Sequence, residues 1–413
     1  MKPTRTRTRT RTTSAASIVA ALALTLAACG GGGSGGSAGG GEITLGVIGP
    51  QSGPQAEIGQ NQVAGAEVAA AEINATGGVD GKKLKIVNQD EQSTPATASA
   101  AVRKLSGDGV SLQLGMLSSA NCLAVAPTLA NQNVVLVTTG CTNDGLTGTP
   151  GQTAPYTNLF RVNTPDSLIV SALGKTIAKK FPQITNYTAF GYDYVTGKAE
   201  WKLYQDTVKT NGLKLNVSRE TFVPLAEQNF RPYVSSLAGD PGDPATKALY
   251  LGLYGGGTAG FLQQAPDFNL GVKYGLLVQP GGYYPVARAL NGKAPDVWNS
   301  YDYNYAAFNS DLNTKFVSDF TAKTGKKPVS WSYDAYQGVY AYAAAIKKAG
   351  STDSAAVGKA LAGIQYDSPV GKLSIDARTH QSNTPAVVFE SVGDPTAPEG
   401  VKIKASEIVQ PGQ

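Results

Sequence analysis

The sequence predicts an α/β protein made of two lobes, each built around a parallel sheet. Short apolar runs alternate with longer segments of helical periodicity, which is typical of parallel strands joined by crossover helices. The alternation runs through residues 42–138 and restarts after Pro165, which indicates two similar units in series. The chain has 413 residues, 41% of them hydrophobic and 16% charged, so it has enough apolar material for two domains.

The first unit begins with a buried strand over residues 43–49, which ends at the turn starting with Pro50. A helix follows, because apolar residues recur close to helical spacing from Ile58 to Ile73 before a glycine pair ends the run. The other elements predicted in this unit are strands at 84–88, 112–117 and 134–138, and helices at 97–106 and after residue 123.

The second unit repeats this pattern of strands and helices. Its predicted helices are 167–181, 198–211, 228–238 and 258–265, and its predicted strands are 184–191, 213–223, 247–254 and 272–278. From residue 297 onward, two helices at 312–324 and 332–349 have no strand between them. We therefore expect the chain to return there to the first lobe and cover its sheet.

The amino terminus has the pattern of an export signal. Residues 1–13 are basic and rich in Thr, and an uncharged, mostly apolar stretch of fourteen residues ends at Cys29. A spanning helix needs about 20 apolar residues, so residues 1–28 are interpreted as a signal peptide. The ending LAAC resembles a bacterial lipobox, which predicts a lipidated Cys29 that anchors the protein to a membrane. Cys29 and the Gly/Ser-rich residues that follow it form a predicted tether over 29–41. The alternative is an ordinary signal peptide followed by a Cys that occurs there by chance.

The charge distribution argues against nucleic-acid binding. The net charge of +5 comes from five basic residues among the first eleven, and from Cys29 onward 30 basic residues balance 30 acidic ones. A nucleic-acid binder needs a basic surface, so no nucleic-acid partner is expected.

Two cysteines, Cys122 and Cys141, remain besides Cys29. In an exported protein such a pair is most simply a disulfide, and two buried free thiols are the alternative. His380 is the single histidine, so no metal site is expected.

One enzyme signature matches in part. Gly255, Gly257 and Gly260 have the dinucleotide-binding spacing between a predicted strand and helix, but Gln279 stands where the acid that holds the ribose would be expected. A nicotinamide-dependent enzyme is therefore only a minor alternative. We expect a protein that is not an enzyme and has no cofactor.

Polar loops follow two neighbouring strands of the first lobe. Ser118 and Ser119 follow the strand at 112–117, and Gly140 and Thr142 follow the strand at 134–138. Hydroxyls and free amides at the carboxyl ends of strands can bind an anion such as a carboxylate. Simple helix capping is the alternative for the hydroxyl side chains. A bridge from Cys122 to Cys141 would hold the two loops together and favour a preorganised site.

Four segments resemble the leucine/isoleucine/valine-binding proteins, which are type I periplasmic binding proteins of ABC importers. They are GVIGPQSGP from Gly46, EINATGGVDGKKL from Glu72, the Ser118 and Ser119 loop, and CTNDGLT from Cys141. The resemblance covers residues 42–392 and implies two Rossmann-like lobes that close over a ligand like a Venus flytrap, joined by three hinge crossovers. It implies a first lobe of 42–162 plus 298–366, a second lobe of 163–297 plus 367–392, and a carboxyl-terminal tail over 393–413.

By this resemblance, Ser119, Gly140 and Thr142 fall where the first lobe holds an amino acid, and Tyr254 falls where the second lobe meets it. The remaining candidate ligand-binding residues are Ser118, Ser52, Asp193, Tyr194, Thr196 and Gln279. The second-lobe motif departs from the family pattern at Thr196, which replaces a tyrosine.

Gln279 replaces the acid that often neutralises a ligand ammonium in this family. Either Asp193 or Asp302 takes that role, or the ligand lacks an amine. If the missing acid is the reason for an altered specificity, Gln279→Glu is expected to improve affinity for amino acids. Five tyrosines cluster after the second sheet and either line the cleft or pack at the hinge: Tyr283, Tyr284, Tyr301, Tyr303 and Tyr305.

The sequence therefore predicts a monomeric extracytoplasmic solute-binding lipoprotein on the periplasmic side of a membrane. It would bind a branched-chain or hydrophobic amino acid, or a related small carboxylate, and deliver it to an ABC permease. A sensory receptor that signals to a kinase uses the same module and is the main alternative.

Overall fold

The computed structural model describes residues 41–268, 270–281, 284–397 and 399–412. The predicted signal peptide, the lipidation site Cys29 and nearly all of the tether lie outside the described residues. Within the described part of the chain, none of the helices is both long and apolar enough to cross a membrane.

The elements are numbered along the chain. The strands are β1 (Glu42–Gly49), β2 (Lys83–Asp90), β3 (Leu112–Gly115), β4 (Val135–Thr138), β5 (Leu159–Arg161), β6 (Asn186–Tyr192), β7 (Asn216–Val223), β8 (Lys247–Gly252), β9 (Leu276–Pro280), β10 (Val297–Tyr301), β11 (Gln365–Ser368), β12 (Gly371–Ser374), β13 (Ala386–Gly393) and β14 (Val401–Val409). The helices are α1 (Ala56–Ala75), α2 (Pro95–Gly107), α3 (Ser119–Val125), α4 (Asp166–Lys180), α5 (Gly197–Thr210), α6 (Arg231–Ala238), α7 (Gly255–Gln264), α8 (Leu270–Lys273), α9 (Tyr284–Ala289), α10 (Asp311–Thr324), α11 (Ser330–Ala349) and α12 (Ser354–Leu361).

The first lobe is a five-stranded parallel sheet in the order β2-β1-β3-β4-β5, covered by α1 to α3 and by α10 to α12. Its central strands are apolar along their length because helices cover both faces. Leu45, Leu114 and Val137 are fully buried. The two longest helices, α1 and α11, pack against each other, which brings the late part of the chain back to the first lobe as the sequence predicts.

The second lobe is a seven-stranded sheet in the order β14-β13-β10-β9-β8-β6-β7. Strands β6 to β10 are parallel, and β13 and β14 run antiparallel at one side. Helices α4 to α9 belong to this lobe. The model thus has the two-lobed α/β fold with largely parallel sheets that the strand and helix pattern indicates.

The chain crosses between the lobes at positions that differ from the predicted boundaries. Strand β10 (Val297–Tyr301) belongs to the second sheet, so the return to the first lobe comes after Tyr301. The hairpin of β11 and β12 stays with the first lobe, because Tyr366 and Leu373 are buried in its core. Residues 401–409, predicted as part of a tail, form β14 and pair along the whole of β13.

The three crossover segments are tied to one another by Thr164. Its hydroxyl donates to the carbonyl oxygens of Thr384 (3.2 Å) and Pro385 (2.8 Å), and its amide donates to Asp302 (3.3 Å). Asp302 is fully buried beside Asp334, and burial raises its pKa to about 6. Asp302 therefore belongs to the hinge.

Candidate functional site

A cavity lies between the two lobes, where the carboxyl ends of strands from both sheets face each other. It encloses about 560 Å³ of empty space, including the open solvent at its mouth. Most of its lining lies at the carboxyl ends of β3, β4, β6, β8, β9 and β10 or in the first turns of α4 and α5, which is where open α/β sheets bind ligands. The lining residues are Leu117, Ser118, Ser119, Gly140, Thr142, Asp166, Ile169, Tyr194, Glu200, Gly252, Leu253, Tyr254, Pro280, Gly281, Tyr301 and Trp331.

The first-lobe side of the cavity consists of the two loops after β3 and β4. The Ser119 hydroxyl oxygen accepts hydrogen bonds from the amides of Thr142 (3.2 Å) and Asn143 (3.1 Å). A disulfide joins Cys122 to Cys141, with 6.4 Å between their Cα atoms. The two loops therefore form one unit that presents hydroxyls and backbone polar groups to the cavity.

Gly140 allows the two loops to approach closely. A Cβ atom at this position would lie 2.6 Å from the carbonyl oxygen of Met116 and 3.3 Å from the Cα of Leu117. Met116 itself has a positive φ of 65°, a conformation that is rare for a residue with a side chain. The loop after β3 is thus held in an unusual backbone conformation directly before the cavity.

A buried acid holds the loop after β3. Glu91 accepts hydrogen bonds from the Leu117 amide and the Asn121 side chain, each at 2.9 Å. Burial raises the pKa of Glu91 to about 7. Its acceptor oxygens are engaged by protein donors, and Glu91 is not a lining residue, so its role is to position the loop.

A buried base holds the loop after β4. The Arg161 guanidinium donates to the carbonyl oxygens of Thr142 (3.0 Å) and Asn143 (2.7 Å) and to the hydroxyl of Thr147 (2.7 Å). Burial lowers the pKa of Arg161 to about 10. Because its donors point at backbone carbonyls, Arg161 stabilises the loop from behind and lies outside the cavity lining.

The side of the cavity opposite these loops is largely aromatic and apolar, and it combines second-lobe residues with Trp331 at the start of α11. The Tyr194 and Tyr254 rings meet edge to face with centroids 5.7 Å apart, and Tyr301 lies 5.8 Å from Trp331. Ile169 and Leu253 complete this wall. Such a surface suits an apolar or aromatic side chain of a ligand.

Two acids in the cavity lining were not predicted from the sequence. Asp166 begins α4 directly after the first crossover, and its amide donates to the Thr142 carbonyl oxygen at 2.8 Å. Glu200 lies in the first turn of α5, and its carboxyl group is within hydrogen-bonding reach of Asp166. Burial raises the pKa of Asp166 to about 6 and that of Glu200 well above its ordinary value. Their position in the first turn of a helix after a strand end was the available signal.

Six of the predicted ligand-binding residues line the cavity and four do not. Ser118, Ser119, Gly140, Thr142, Tyr194 and Tyr254 line it. The Ser52 hydroxyl instead donates to Asp90 at 2.6 Å, and Asp193 pairs with Lys198 at 2.8 Å while half exposed to solvent. Thr196 is buried at the start of α5, outside the lining.

Gln279 is also buried outside the cavity lining. Its side-chain amide donates to the Leu253 carbonyl oxygen (2.9 Å) and the Thr258 hydroxyl (3.0 Å). Gln279 thus holds the turn between β8 and α7 in place. Neither Asp193 nor Asp302 lines the cavity in place of Gln279. Of the clustered tyrosines, Tyr301 lines the cavity, whereas Tyr303 stacks on Tyr333 in the first-lobe core.

The glycine run at the start of α7 packs against protein on both sides. Gly255 has a φ of 54°, and a Cβ atom there would lie 1.8 Å from the side-chain oxygen of Gln55 in the first lobe. A Cβ atom at Gly257 would lie 1.7 Å from the Tyr192 hydroxyl. The glycines thus let the lobes meet closely, and this packing accounts for the run without a nucleotide.

The cavity between two α/β lobes suggests a binding protein, and comparison with known proteins supports this interpretation. The family model described as periplasmic binding protein matches residues 42–395. The chain belongs to this family. A curated relative of this periplasmic binding protein is the leucine-, isoleucine-, valine-, threonine- and alanine-binding protein of Pseudomonas aeruginosa, 26% identical over 86% of this chain and 92% of the relative. The Leu/Ile/Val-binding protein of Escherichia coli is 35% identical over 106 residues, which cover 26% of this chain and 29% of the relative.

Solved structures show the same fold as this periplasmic binding protein. A solute-binding protein of an ABC transporter from Rhodopseudomonas palustris HaA2, in complex with p-hydroxybenzoic acid, has a TM-score of 0.75 at 23% identity, over 90% of this chain and 98% of that chain. A branched-chain amino acid transporter substrate-binding protein from Streptococcus pneumoniae, in complex with isoleucine, has a TM-score of 0.74 at 22% identity, over 89% and 99%. These similarities show the type I two-lobed architecture.

We predict that Ser119→Ala combined with Thr142→Ala weakens binding of a carboxylate ligand at least about a hundredfold, because hydrogen bonds to a charged group contribute about 1.5–3 kcal/mol each. The fold is expected to persist, since the disulfide and Arg161 still hold the loops. Calorimetric titration and thermal unfolding measure the two effects. Ser52→Ala, which removes a hydroxyl outside the cavity, is the control and should leave affinity unchanged. Equal affinity of the double variant and the native protein would refute the assignment.

Gln279→Glu is predicted to lower the free energy of unfolding by about 1–3 kcal/mol, because an ionised carboxylate would face the Leu253 carbonyl oxygen without a donor. Affinity for amino acids should not improve, contrary to the expectation from the sequence. Denaturant unfolding and calorimetry test both statements. Gln263→Glu, at an exposed position of α7, is the matched control with little effect. A tighter complex with any amino acid would show that position 279 does reach the ligand.

Proposed function

We propose that this protein is the extracytoplasmic solute-binding component of an ABC importer and holds one small carboxylate between its lobes. The candidate ligands are a branched-chain or other hydrophobic amino acid or a related small carboxylic acid. The observation that carries the proposal is the composition of the inter-lobe cavity. Hydroxyls and strand-end loops of the first lobe face an apolar, aromatic wall that the second lobe forms together with Trp331. The names of the relatives and the ligands of the solved structures point the same way.

The carboxylate would lie against the loops after β3 and β4. Ser118 and Ser119 stand at the start of α3, where their hydroxyls could donate to a carboxylate and the positive end of the helix dipole favours a negative charge. The Thr142 hydroxyl and the Gly140 backbone complete this side. The apolar part of the ligand would lie towards Tyr254 and Trp331 on the other side.

Delivery would depend on the equilibrium between open and closed lobes. A ligand that contacts both lobes favours the closed state by its differential affinity, and a permease can then recognise the closed shape. The anchor predicted at Cys29 would keep the protein, acting as a monomer, close to that permease. In the described structure the lobes already touch at the rim, where Gln55 approaches the glycine run of α7.

A thermal-shift screen across amino acids, aromatic acids, small amides and short dicarboxylates tests the proposed function. A ligand that binds only the native state raises the melting temperature by mass action, by an amount that grows with its concentration. We expect at least one small carboxylate to do so and a neutral amide of the same shape to fail. A screen in which no carboxylate stabilises the protein would contradict the proposal.

The rim of the cleft carries an ion pair between the lobes that should favour closure. Arg288 of the second lobe contacts Glu57 of the first at 2.7 Å and also Glu399 at 2.8 Å. Glu399 in turn accepts a hydrogen bond from the amide of Lys327, which belongs to the first lobe (2.8 Å). None of these residues lines the cavity.

Glu57→Gln is therefore predicted to weaken the binding of every ligand by the same factor, about 1.4-fold to fivefold, because a partly exposed ion pair contributes about 0.2–1 kcal/mol. Calorimetry at low salt measures it, and the difference should shrink at high salt. Asp206→Asn, which removes an ion pair within α5, is the control and should leave affinity unchanged. A changed order of ligand preference would contradict the closure argument.

A further inference from the structure

We propose that one end of the first lobe is a docking surface for a bilayer that contains anionic phospholipids. The surface, here called the strand-start face, surrounds the starts of the strands of the five-stranded sheet. It consists of residues 41–44, 76–85, 103–111, 130–134 and 347–359. The proposal adds a membrane contact to the proposed function, which concerns the ligand and the permease.

The topology of the first lobe brings these segments together. All strands of its sheet are parallel, so their starts lie at the end opposite to the cavity. Helices α1 and α2 end there, because each leads directly into the start of the next strand. Helix α11 runs in the same direction as α1, since Gly65 packs against Ser332 and Glu72 accepts a hydrogen bond from Tyr340 (2.9 Å). The end of α11 therefore belongs to the same face.

The strand-start face has a positive excess of charge. Its basic side chains, all exposed, are Lys82, Lys83, Lys85, Arg103, Lys104, Lys347, Lys348 and Lys359, and its acidic ones are Glu42, Asp80, Asp108 and Asp353. From Cys29 onward the chain has 30 basic and 30 acidic residues, so removing these eight and four leaves 22 basic and 26 acidic ones. A chain of zero net side-chain charge thus carries an excess of four positive charges on one face. Such a face is attracted to an anionic surface.

Most of the basic groups on this face are available to a partner. Lys85 pairs with Glu42 at 3.3 Å, and Lys104 pairs with Asp108 at 2.7 Å. Within the described part of the chain, five others form no ion pair: Lys82, Lys83, Arg103, Lys347 and Lys359. Their charges are therefore not neutralised by neighbouring acids.

The helix dipole accounts for only some of these bases. A basic residue in the last turn of a helix is favoured by the negative end of the dipole, which explains Lys104 and Lys347. Lys82 and Lys83 lie at the start of β2, where no helix ends. A partner outside the chain gives these two charges a role.

The chain enters the first lobe at this face. Gly41 is exposed, and a Cβ atom there would lie 3.9 Å from side-chain carbons of Lys82. The anchor predicted at Cys29 is twelve residues away, a distance that a chain can span over at most about 43 Å, at about 3.6 Å per residue. Such an anchor would keep the strand-start face close to the bilayer, so a weak electrostatic contact would suffice for docking.

Docking would orient the cavity away from the membrane. The cavity lies at the carboxyl ends of the strands, and the strand-start face lies at their other end. A docked molecule would therefore present its cavity to incoming solute. Because charges at a surface are screened within about 10 Å at 0.1 M salt, the contact would be weak and reversible, which leaves the protein able to turn towards a permease.

Vesicle co-sedimentation of residues 30–413 tests the surface without the anchor. This chain is suitable because both sheets and their cores lie within residues 42–409, and its side-chain charges sum to zero. At about 20 mM salt, we expect at least about tenfold stronger partition onto phosphatidylcholine vesicles with about 30% phosphatidylglycerol than onto pure phosphatidylcholine vesicles. Most of this difference should disappear at about 300 mM NaCl.

Two triple variants with equal loss of charge locate the contact. The first combines Lys82→Gln, Lys83→Gln and Lys347→Gln, and it should reduce partition onto the anionic vesicles at least about fivefold. The control combines Lys179→Gln, Lys209→Gln and Lys214→Gln, which are exposed lysines near the strand starts of the second lobe, and it should stay within about twofold of the native chain. Thermal unfolding verifies that both variants are folded.

Equal partition onto the two kinds of vesicle, or equal losses in the two triple variants, would overturn the proposal. A greater loss in sodium phosphate than in NaCl of equal ionic strength would indicate a site for a free phosphate ion and would overturn the bilayer as the partner. The proposed function is tested separately by the thermal-shift screen. The first triple variant should keep the native response to ligand in that screen, because its substitutions lie outside the cavity lining.

Discussion

The geometry of this protein depends on one constraint, which is that strand ends from two sheets face each other across a hinge. Backbone groups at the ends of parallel strands and at the starts of the following helices are partly unpaired. Bringing both sets together creates a place where a small polar ligand can pair with them. Thr164 maintains this arrangement, because its hydroxyl and amide join all three crossover segments.

Buried charges around the site are used mostly to fix backbone. Glu91 accepts from an amide of the loop after β3, and Arg161 donates to carbonyls of the loop after β4. Hydrogen bonds offset the desolvation cost of each of these groups, and a buried charge is tolerated only under this condition. The loops are thereby preorganised, so a ligand need not order them on binding. Asp166 and Glu200 differ from these two groups because they face the cavity.

The contacts between the lobes fall into two kinds with different consequences. Around the cavity, Tyr254, Tyr301 and Trp331 present apolar surface. This surface stabilises the closed arrangement only when a ligand covers it. At the rim, Arg288 and Glu57 form a partly exposed ion pair whose contribution is small and sensitive to salt. A weak rim and a ligand-dependent centre suit a protein that must open again to release what it binds.

The sequence alone determined the two-lobed α/β class, because hydrophobic periodicity is a local property and the alternation of its two periods persists over most of the chain. It also indicated Ser119, Gly140, Thr142 and Tyr254, since residues directly after a buried strand lie at the ligand-binding edge of a parallel sheet. The sequence did not predict the pairing of the late strands. Strand β14 pairs with β13, and the pairing partners of strands are set by contacts between distant segments.

The tertiary structure alone decided which polar side chains face the cavity between the lobes. Gln279 and Asp193 lie at strand ends just as the lining residues do, yet one turns inward to hold a backbone turn and the other pairs with Lys198 at the surface. Asp166 and Glu200 come together from the first turns of two helices that are 34 positions apart in the chain. Their proximity depends on how α4 and α5 pack on the second-lobe sheet, and a linear sequence contains no local signal for that distance.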